Sequence, residues 1–459
     1  MARNTQVNAD HNAPPVTRLL AELVTQHPSK GWDDAVEAQA HRTFANWAGC
    51  AVGPSQHETI TAALAAVQLL QPSAQASLLG RSERVDMANA AMLNGISSHT
   101  FDFDDTHLKT IIHPAGPVAS ALLALGEHTG ATGREMIDAL VLGIEVSCRV
   151  GNAVYPHHYD RGWHITGSTG MLGSAAACSR LLKLNADQTQ MALGIAASQP
   201  VGLREQFGTM TKPFHPGAAA KAGLMAALMA KNGFTASRRA LEAPRGLMQV
   251  FSDKTDWTEI TENVGQRWEI ALNTFKPFAC GIVIHPAIDA CVQLRETHQL
   301  SPQDVASVKV RAHPLVQELT GKKTPGDGLQ AKFSVFHSCA AALIRGRAGE
   351  HEYADDFVTD PSTVALREKV ELIVDPSIHE ASVDVTIRTL AGQELHLYVE
   401  HTIGSLERPM SNDQLRAKFV DQSEPVIGRA AADNGFNLCM ALGQQSSLTL
   451  LLQQLTTRS

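Results

Sequence analysis

From about Val16 to Ala240 apolar residues recur every three or four positions, and Ala, Leu, Met and Gly outnumber β-branched residues. That period belongs to a helix, so more than half of the chain is committed to packed α-helices before any other feature is read. Many of the apolar faces carry only small side chains, as in Gly173-Ser174-Ala175-Ala176-Ala177 and Gly217-Ala218-Ala219-Ala220. Small residues let helix axes approach closely, which predicts a dense helical layer. Helices are expected over Ala115–Leu125 and over Ile137–Val150, the latter opened by Thr132-Gly133-Arg134-Glu135.

The texture changes after Trp268. Val305–Ala312 reads VASVKVRA, and Val383, Val385 and Ile387 alternate with Asp384, Thr386 and Arg388. Leu395, Leu397 and Val399 resume the period of two after Ala391-Gly392-Gln393. This predicts a β-hairpin with one wet face, its other face covered by a helix such as Ala331–Ile344. Beyond Pro409 a helix is expected again, entered through Ser411-Asn412-Asp413-Gln414, which has the form of a capping box. The fold class is therefore mainly α with a smaller α+β domain. The divisions are a loose tail over 1–15, a helical domain over 16–269, an α+β domain over 270–405 and a C-terminal helical return over 406–459.

A chain of 459 residues exceeds one ordinary core, in keeping with this division. A net charge of −8 argues against general affinity for nucleic acid or an anionic membrane surface. The seven cysteines are scattered without a C-x-x-C pair, which predicts reduced thiols and a cytoplasmic protein. No run approaches the ~18 apolar residues needed to cross a bilayer, and the polar first fifteen residues do not resemble a signal peptide.

Four segments are too polar for their surroundings. Ser98–His107 followed by His113-Pro114 places Asp102, Asp104 and Asp105 among His99, His107 and His113, with Phe101 and Phe103 interleaved. The interleaved rings suggest partial burial, which raises a carboxyl pKa and lowers that of an imidazole, the setting for proton transfer near neutrality. A capped, solvated helix start explains the same composition equally well. Tyr155–Gly167 leads into a small-residue helix whose first N–H groups suit a carboxylate. Thr209–Gly217 holds Lys212 in a short loop before another Ala-rich helix, where a lone Lys is usually a solvated surface charge. Asn273–Gly281, leading to His285-Pro286, sits at the change of texture, and pockets favour such junctions.

Together D-F-D-D-T…H-P, G-W-H-x-T-G, T-K-P-F-H-P-G and K-P-F-A-C…H-P-A-I-D resemble the MmgE/PrpD family, in order and spacing. The match runs roughly from 16 to 450 and includes Ala331–Gly346. The resemblance implies a large helical domain with a lid-like α+β domain, a homodimer, no metal or organic cofactor, and a small anionic carboxylate as substrate. It places the catalytic set on His113, Asp102, His164 and Lys212. Substrate binding falls to Thr106, Lys212, His164 and His285. Some members carry a His where this chain has Gly281, so His285 is the weakest of these assignments. His113 is the expected base, with Asp102 setting its tautomer.

Such a set suits the family's chemistry. Charge that develops beside a carboxylate spreads onto its oxygens, and a cation with hydrogen-bond donors stabilises it there. Loss of hydroxide then gives a dehydratase, return of the proton to the other face an epimerase, and loss of CO₂ a decarboxylase. Asp104 and His113-Pro114-Ala115-Gly116 depart from the Asn and bulkier polar run typical of methylcitrate dehydratases. Dehydration is nevertheless placed first, as the family's most frequent reaction, with epimerisation and decarboxylation as alternatives. Two rivals come from other classes. One is a metal-dependent hydrolase using Asp102, Asp104, Asp105, His107 and His113; the other is a helical scaffold without activity.

Overall fold

The computed structural model describes residues 13–28 and 31–457. Most of the tail expected over 1–15 lies outside them; within them Ala13 is buried and a helix starts at Val16. The chain forms two compact units. One takes in the described residues up to Thr100, then Asp104–Asn273 and Leu415 onward; the other is Phe101–Phe103 with Thr274–Gln414.

The first unit is helical. Met87–Thr100, Ala115–Thr129, Gly133–Val154, Ile165–Leu181 and Thr211–Lys231 pack on one another. Small residues set the distances. A Cβ added to Gly95 would lie 2.7 Å from the Gly217 Cα, and one on Gly143 would lie 2.7 Å from the Ala177 Cβ. Backbone therefore meets backbone along these seams, and a larger residue at Gly95 has nowhere to go. Gly133–Val154 opens with a full capping box, Thr132 accepting from the Glu135 N–H while the Glu135 carboxylate accepts from the Thr132 N–H.

In the second unit β1 (Val305–Ala312), β2 (Val370–Val374), β3 (Val383–Thr389) and β4 (Glu394–Val399) form a sheet in the order β2-β1-β3-β4. The β1–β2 pair is parallel; β1–β3 and β3–β4 are antiparallel. Val383, Val385 and Ile387 are buried on one face, while Arg388, Glu394 and His396 are exposed on the other, so the predicted hairpin with one wet face is present. The covering helix differs from expectation. His285–His298 packs on β3 and β4, whereas Val335–Arg345 packs against that helix and β2. Both helices are amphipathic, and periodicity alone does not say which one meets the sheet. Within this unit Ser411 and Gln414 make the reciprocal bonds of the predicted capping box.

Candidate active site

In the first unit three helices bring their ends to a cluster of imidazoles. His99 lies in the last turn of Met87–Thr100, His113 two residues before Ala115–Thr129, and His164 at the N-cap of Ile165–Leu181. The ring centroids lie 4.9 Å apart in His99–His113, which is tilted, and 5.6 Å apart in His99–His164, which is stacked, and all three side chains are buried. A fourth, His215, lies one turn inside Thr211–Lys231 with its Nδ1 2.9 Å from the His164 Nδ1.

The hydrogen-bond partners fix two of these tautomers. The His99 Nδ1 is 2.7 Å from an oxygen of Asp104, and the His113 Nδ1 is 2.6 Å from the main-chain oxygen of Asp105. A carbonyl can only accept, as can an ionised carboxylate, so both Nδ1 atoms donate and each neutral ring keeps its lone pair on Nε2. When neutral, His113 thus has the protonation pattern of a base. Its tautomer is set by a backbone carbonyl, with the Thr106 hydroxyl 3.3 Å from the same nitrogen. The Thr166 hydroxyl, from the neighbouring helix, accepts from the His113 N–H and anchors the segment.

Expectation assigned the tautomer of His113 to Asp102. In the structure the Asp102 carboxylate takes the Lys276 ammonium at 2.7 Å, and the Asp102 carbonyl accepts from it at 3.0 Å. Both side chains are buried, and both residues belong to the second unit. Asp102 adopts a φ of 51°, a left-handed conformation that an Asp tolerates better than most residues. His285, also in the second unit, is fully buried, edge-on to Phe278, with its Nε2 3.3 Å from the Cys280 carbonyl.

Lys212 corrects a second expectation. It is the second residue of a helix, where a short loop was expected, and it is buried, unlike the solvated surface charge that a lone loop Lys usually is. Pro213 fits the first turn, but Pro216 lies deeper and cannot donate to the carbonyl four residues earlier. Two prolines so close together read as a loop, which hid the helix start. The Lys212 ammonium lies over the Phe207 ring at 5.3 Å, and Phe207 also meets His164 edge-on at 5.1 Å. The structure therefore gathers Thr106, His113, His164 and Lys212 in one unit and adds His99 and His215, to which no role was given, and Asp104, named only as a metal ligand. His215 had a readable signal, since three residues separate it from Lys212 and on a helix that spacing means one face. Lys276 stood in a quoted motif, but burial alone revealed its partner.

Electrostatics disfavour charge on His164 and His215. Burial, reinforced by the charges of His99, Lys212, His215 and His113, holds His164 well below the ordinary histidine range. Burial first, then His99 and Lys212, bring His215 down to about 4. Burial and the adjacent Asp104 push the Asp105 carboxyl up to about 7. Its Oδ2 meanwhile accepts from the Ala115 N–H and the Asn273 amide, so Asp105 also caps a helix.

Two members of the cluster proposed for a metal have other partners. His107 pairs with Glu269 at 2.9 Å, and Asp105 serves the helix cap. A different trio does converge, a ring nitrogen from each of His99, His113 and His164 lying within 4.8 Å of the others. Of the polar residues before Ile165, His158 is bonded to Ser168 and Arg161 pairs with Asp253, while His164 joins the cluster.

Comparison with known proteins agrees in family. The sequence profile of the MmgE/PrpD N-terminal domain matches residues 18–260, and that of the C-terminal domain matches 278–442. A cis-aconitate decarboxylase-like protein, oryM, of Aspergillus oryzae is 29% identical over 95% of this chain and 96% of its own length. The cis-aconitate decarboxylase of Homo sapiens is 28% identical over 73% of this chain and 72% of its own. A mitochondrial 2-methylcitrate dehydratase of Yarrowia lipolytica is 32% identical, but over only 17% of this chain and 15% of its own.

Proposed function

Because this chain belongs to the MmgE/PrpD family, we propose that it is a lyase that moves a proton beside a carboxylate of a small di- or tricarboxylate. The carrying observation is the pairing of a buried cation, Lys212, with buried imidazoles whose Nδ1 atoms are already committed. Lys212 and the first N–H groups of Ile165–Leu181 supply the positive field for a carboxylate, and Nε2 atoms remain for the proton. Burial makes that field stronger than it would be in water.

Decarboxylation of a cis-aconitate-like substrate takes first place here, ahead of dehydration. Two decarboxylase relatives align over most of their length, while the dehydratase aligns over a short stretch. In such a reaction the carbon–carbon bond to one carboxylate breaks and CO₂ leaves. The electron pair spreads through the double bond onto a remaining carboxylate, and an imidazole then gives a proton to carbon. Incubation with cis-aconitate, methylcitrate and iminodisuccinate in D₂O separates the outcomes. Released CO₂ with one deuterium on product carbon is expected. Water loss alone would reassign the enzyme as a dehydratase, and deuterium in recovered substrate as an epimerase.

A second reading rests on the converging trio of His99, His113 and His164, whose spacing suits one divalent ion. Metal analysis of protein prepared without chelator decides it. Stoichiometric ion lost together with activity on EDTA treatment would favour a metal-dependent hydrolase.

A further inference from the structure

The three central imidazoles are not equivalent. His99 and His113 each give Nδ1–H to an acceptor, but His164 faces another imidazole, and both rings are buried. Two neutral rings whose Nδ1 atoms are 2.9 Å apart satisfy each other in one way. One carries Nδ1–H, and the other presents its Nδ1 lone pair and carries Nε2–H. Which ring plays which part is not dictated by the partner, so this bond can be reversed.

The surroundings hold the rings in that register. Gly202 has a φ of 114°, and a Cβ there would lie 3.1 Å from both the His164 Cβ and the His215 Nδ1. Its carbonyl accepts from the His164 N–H at 3.0 Å. Phe207 covers the His164 edge, and His99 stacks on its face. Each histidine is on a different helix, so the contact is tertiary and does not follow from local sequence.

We propose that His215 is a positioning residue that acts through His164, the two forming a tautomeric pair that lets the His164 Nε2 both accept and give a proton. This rests on the lyase reading above. When the His164 Nε2 takes a proton from solvent water as the anionic substrate binds, the Nδ1–H passes to the His215 Nδ1. His215 then carries the positive charge, and His164 is left neutral with Nε2–H. When the His164 Nε2–H goes to substrate carbon, the proton on the His215 Nδ1 returns to the His164 Nδ1 and both rings are neutral again. Burial and Lys212 keep the ligand-free pair neutral, and the charge is compensated when an anionic substrate arrives. His113 becomes an imidazolium when its Nε2 takes a proton, whereas the pair passes that charge to His215 and leaves His164 a neutral Nε2–H donor.

Nitrogen-15 histidine NMR of ligand-free enzyme near neutral pH tests the pair, with signals assigned by their loss in H164N and H215N. One Nδ1–H ring and one Nε2–H ring are expected; two Nε2–H rings, or two imidazolium rings, would overturn the proposal. Kinetics supply the second arm. H215F and H215N are each expected to lower kcat on the order of 100-fold, with KM within about threefold. H215N can hold a hydrogen bond to His164 but relays no proton, and it covers the case in which H215F does not fold. Recovery of near-full kcat in H215N would reduce His215 to a steric prop and sink the relay. If no carboxylate is turned over at all, the function proposed above fails, while the NMR result still decides the tautomers.

Discussion

Single side chains here carry charges that a core would ordinarily exclude. Lys212 is buried beside an aromatic ring, which costs solvation and adds little packing. Lys212→Ala is therefore expected to lower kcat/KM on the order of 100- to 1,000-fold, the range for removal of one oxyanion-stabilising donor. The melting temperature should stay within a few degrees; a large fall with unchanged kinetics would reassign Lys212 to structure. The Asp102–Lys276 pair should behave in the opposite way. Removing one partner of a buried pair strands the other charge, at a cost of about 3–5 kcal/mol. Asp102→Asn should thus melt markedly earlier, and adding Lys276→Met should recover part of the loss. An additive double mutant would show that the two side chains do not depend on each other. The residue types at both positions were readable from the sequence, but their partners were not. A motif names Asp102 and His113 together, yet only the folded chain shows one held by Lys276 and the other by a backbone oxygen.

At the scale of elements, the sequence was legible wherever periodicity met its own stop signals. The β3–β4 hairpin and the Ser411–Gln414 cap were readable for that reason. It was misleading at Thr211–Lys231, where Pro213 and Pro216 disguise a helix start and hide that Lys212 and His215 share a face. Helix spacing is also functional, because the seam of Gly95 on Gly217 joins the helices that carry His99 and His215. Gly95→Val would drive a branched side chain into backbone. Overpacking of this kind costs about 1–3 kcal/mol, and more where backbone must move. Both the melting temperature and kcat are expected to fall, whereas Ala131→Gly, away from the seam, should leave kcat intact. A Gly95→Val enzyme of normal activity would show that the seam yields without moving the imidazoles.

For the molecule as a whole, buried ionisable groups set the pH range of stability, and the sign differs between carboxyls and imidazoles. Burial pushes the carboxyls of Asp105, Glu145 and Glu350 up to about 7. A raised folded pKa gives stability that is complete below the unfolded value, near 4, and lost as pH climbs through about 7. Burial lowers His158, His215 and His337 to about 4, and His164 further still. These rings stay neutral in the fold while the unfolded chain takes up protons below about 6.5, so their contribution is lost as pH falls from there towards 4. Glu269 adds to the acid limb. Burial would raise its carboxyl, but hydrogen bonds from His107 and Asn152 and the charge of Arg267 outweigh burial and hold it at about 2. Its contribution is present above the ordinary carboxyl range and disappears as pH drops towards 2. Between about 4.5 and 6.5 the three carboxyls and four imidazoles nearly cancel, because the fold holds the carboxyl protons while the unfolded chain holds the imidazole ones. Below that window only the imidazoles and Glu269 still change, and above it only the carboxyls do. The melting temperature should accordingly show a broad top across this window, a steep fall in acid and a gentler decline from about 6.5 to 8. Asp105→Asn keeps an oxygen for the Ala115 N–H and the Asn273 amide, so it should flatten the alkaline decline without moving the acid limb. Thermal unfolding followed from pH 4 to 9 reads both limbs, and a melting temperature that still rises between pH 6.5 and 8.5 would refute the carboxyl half of this account.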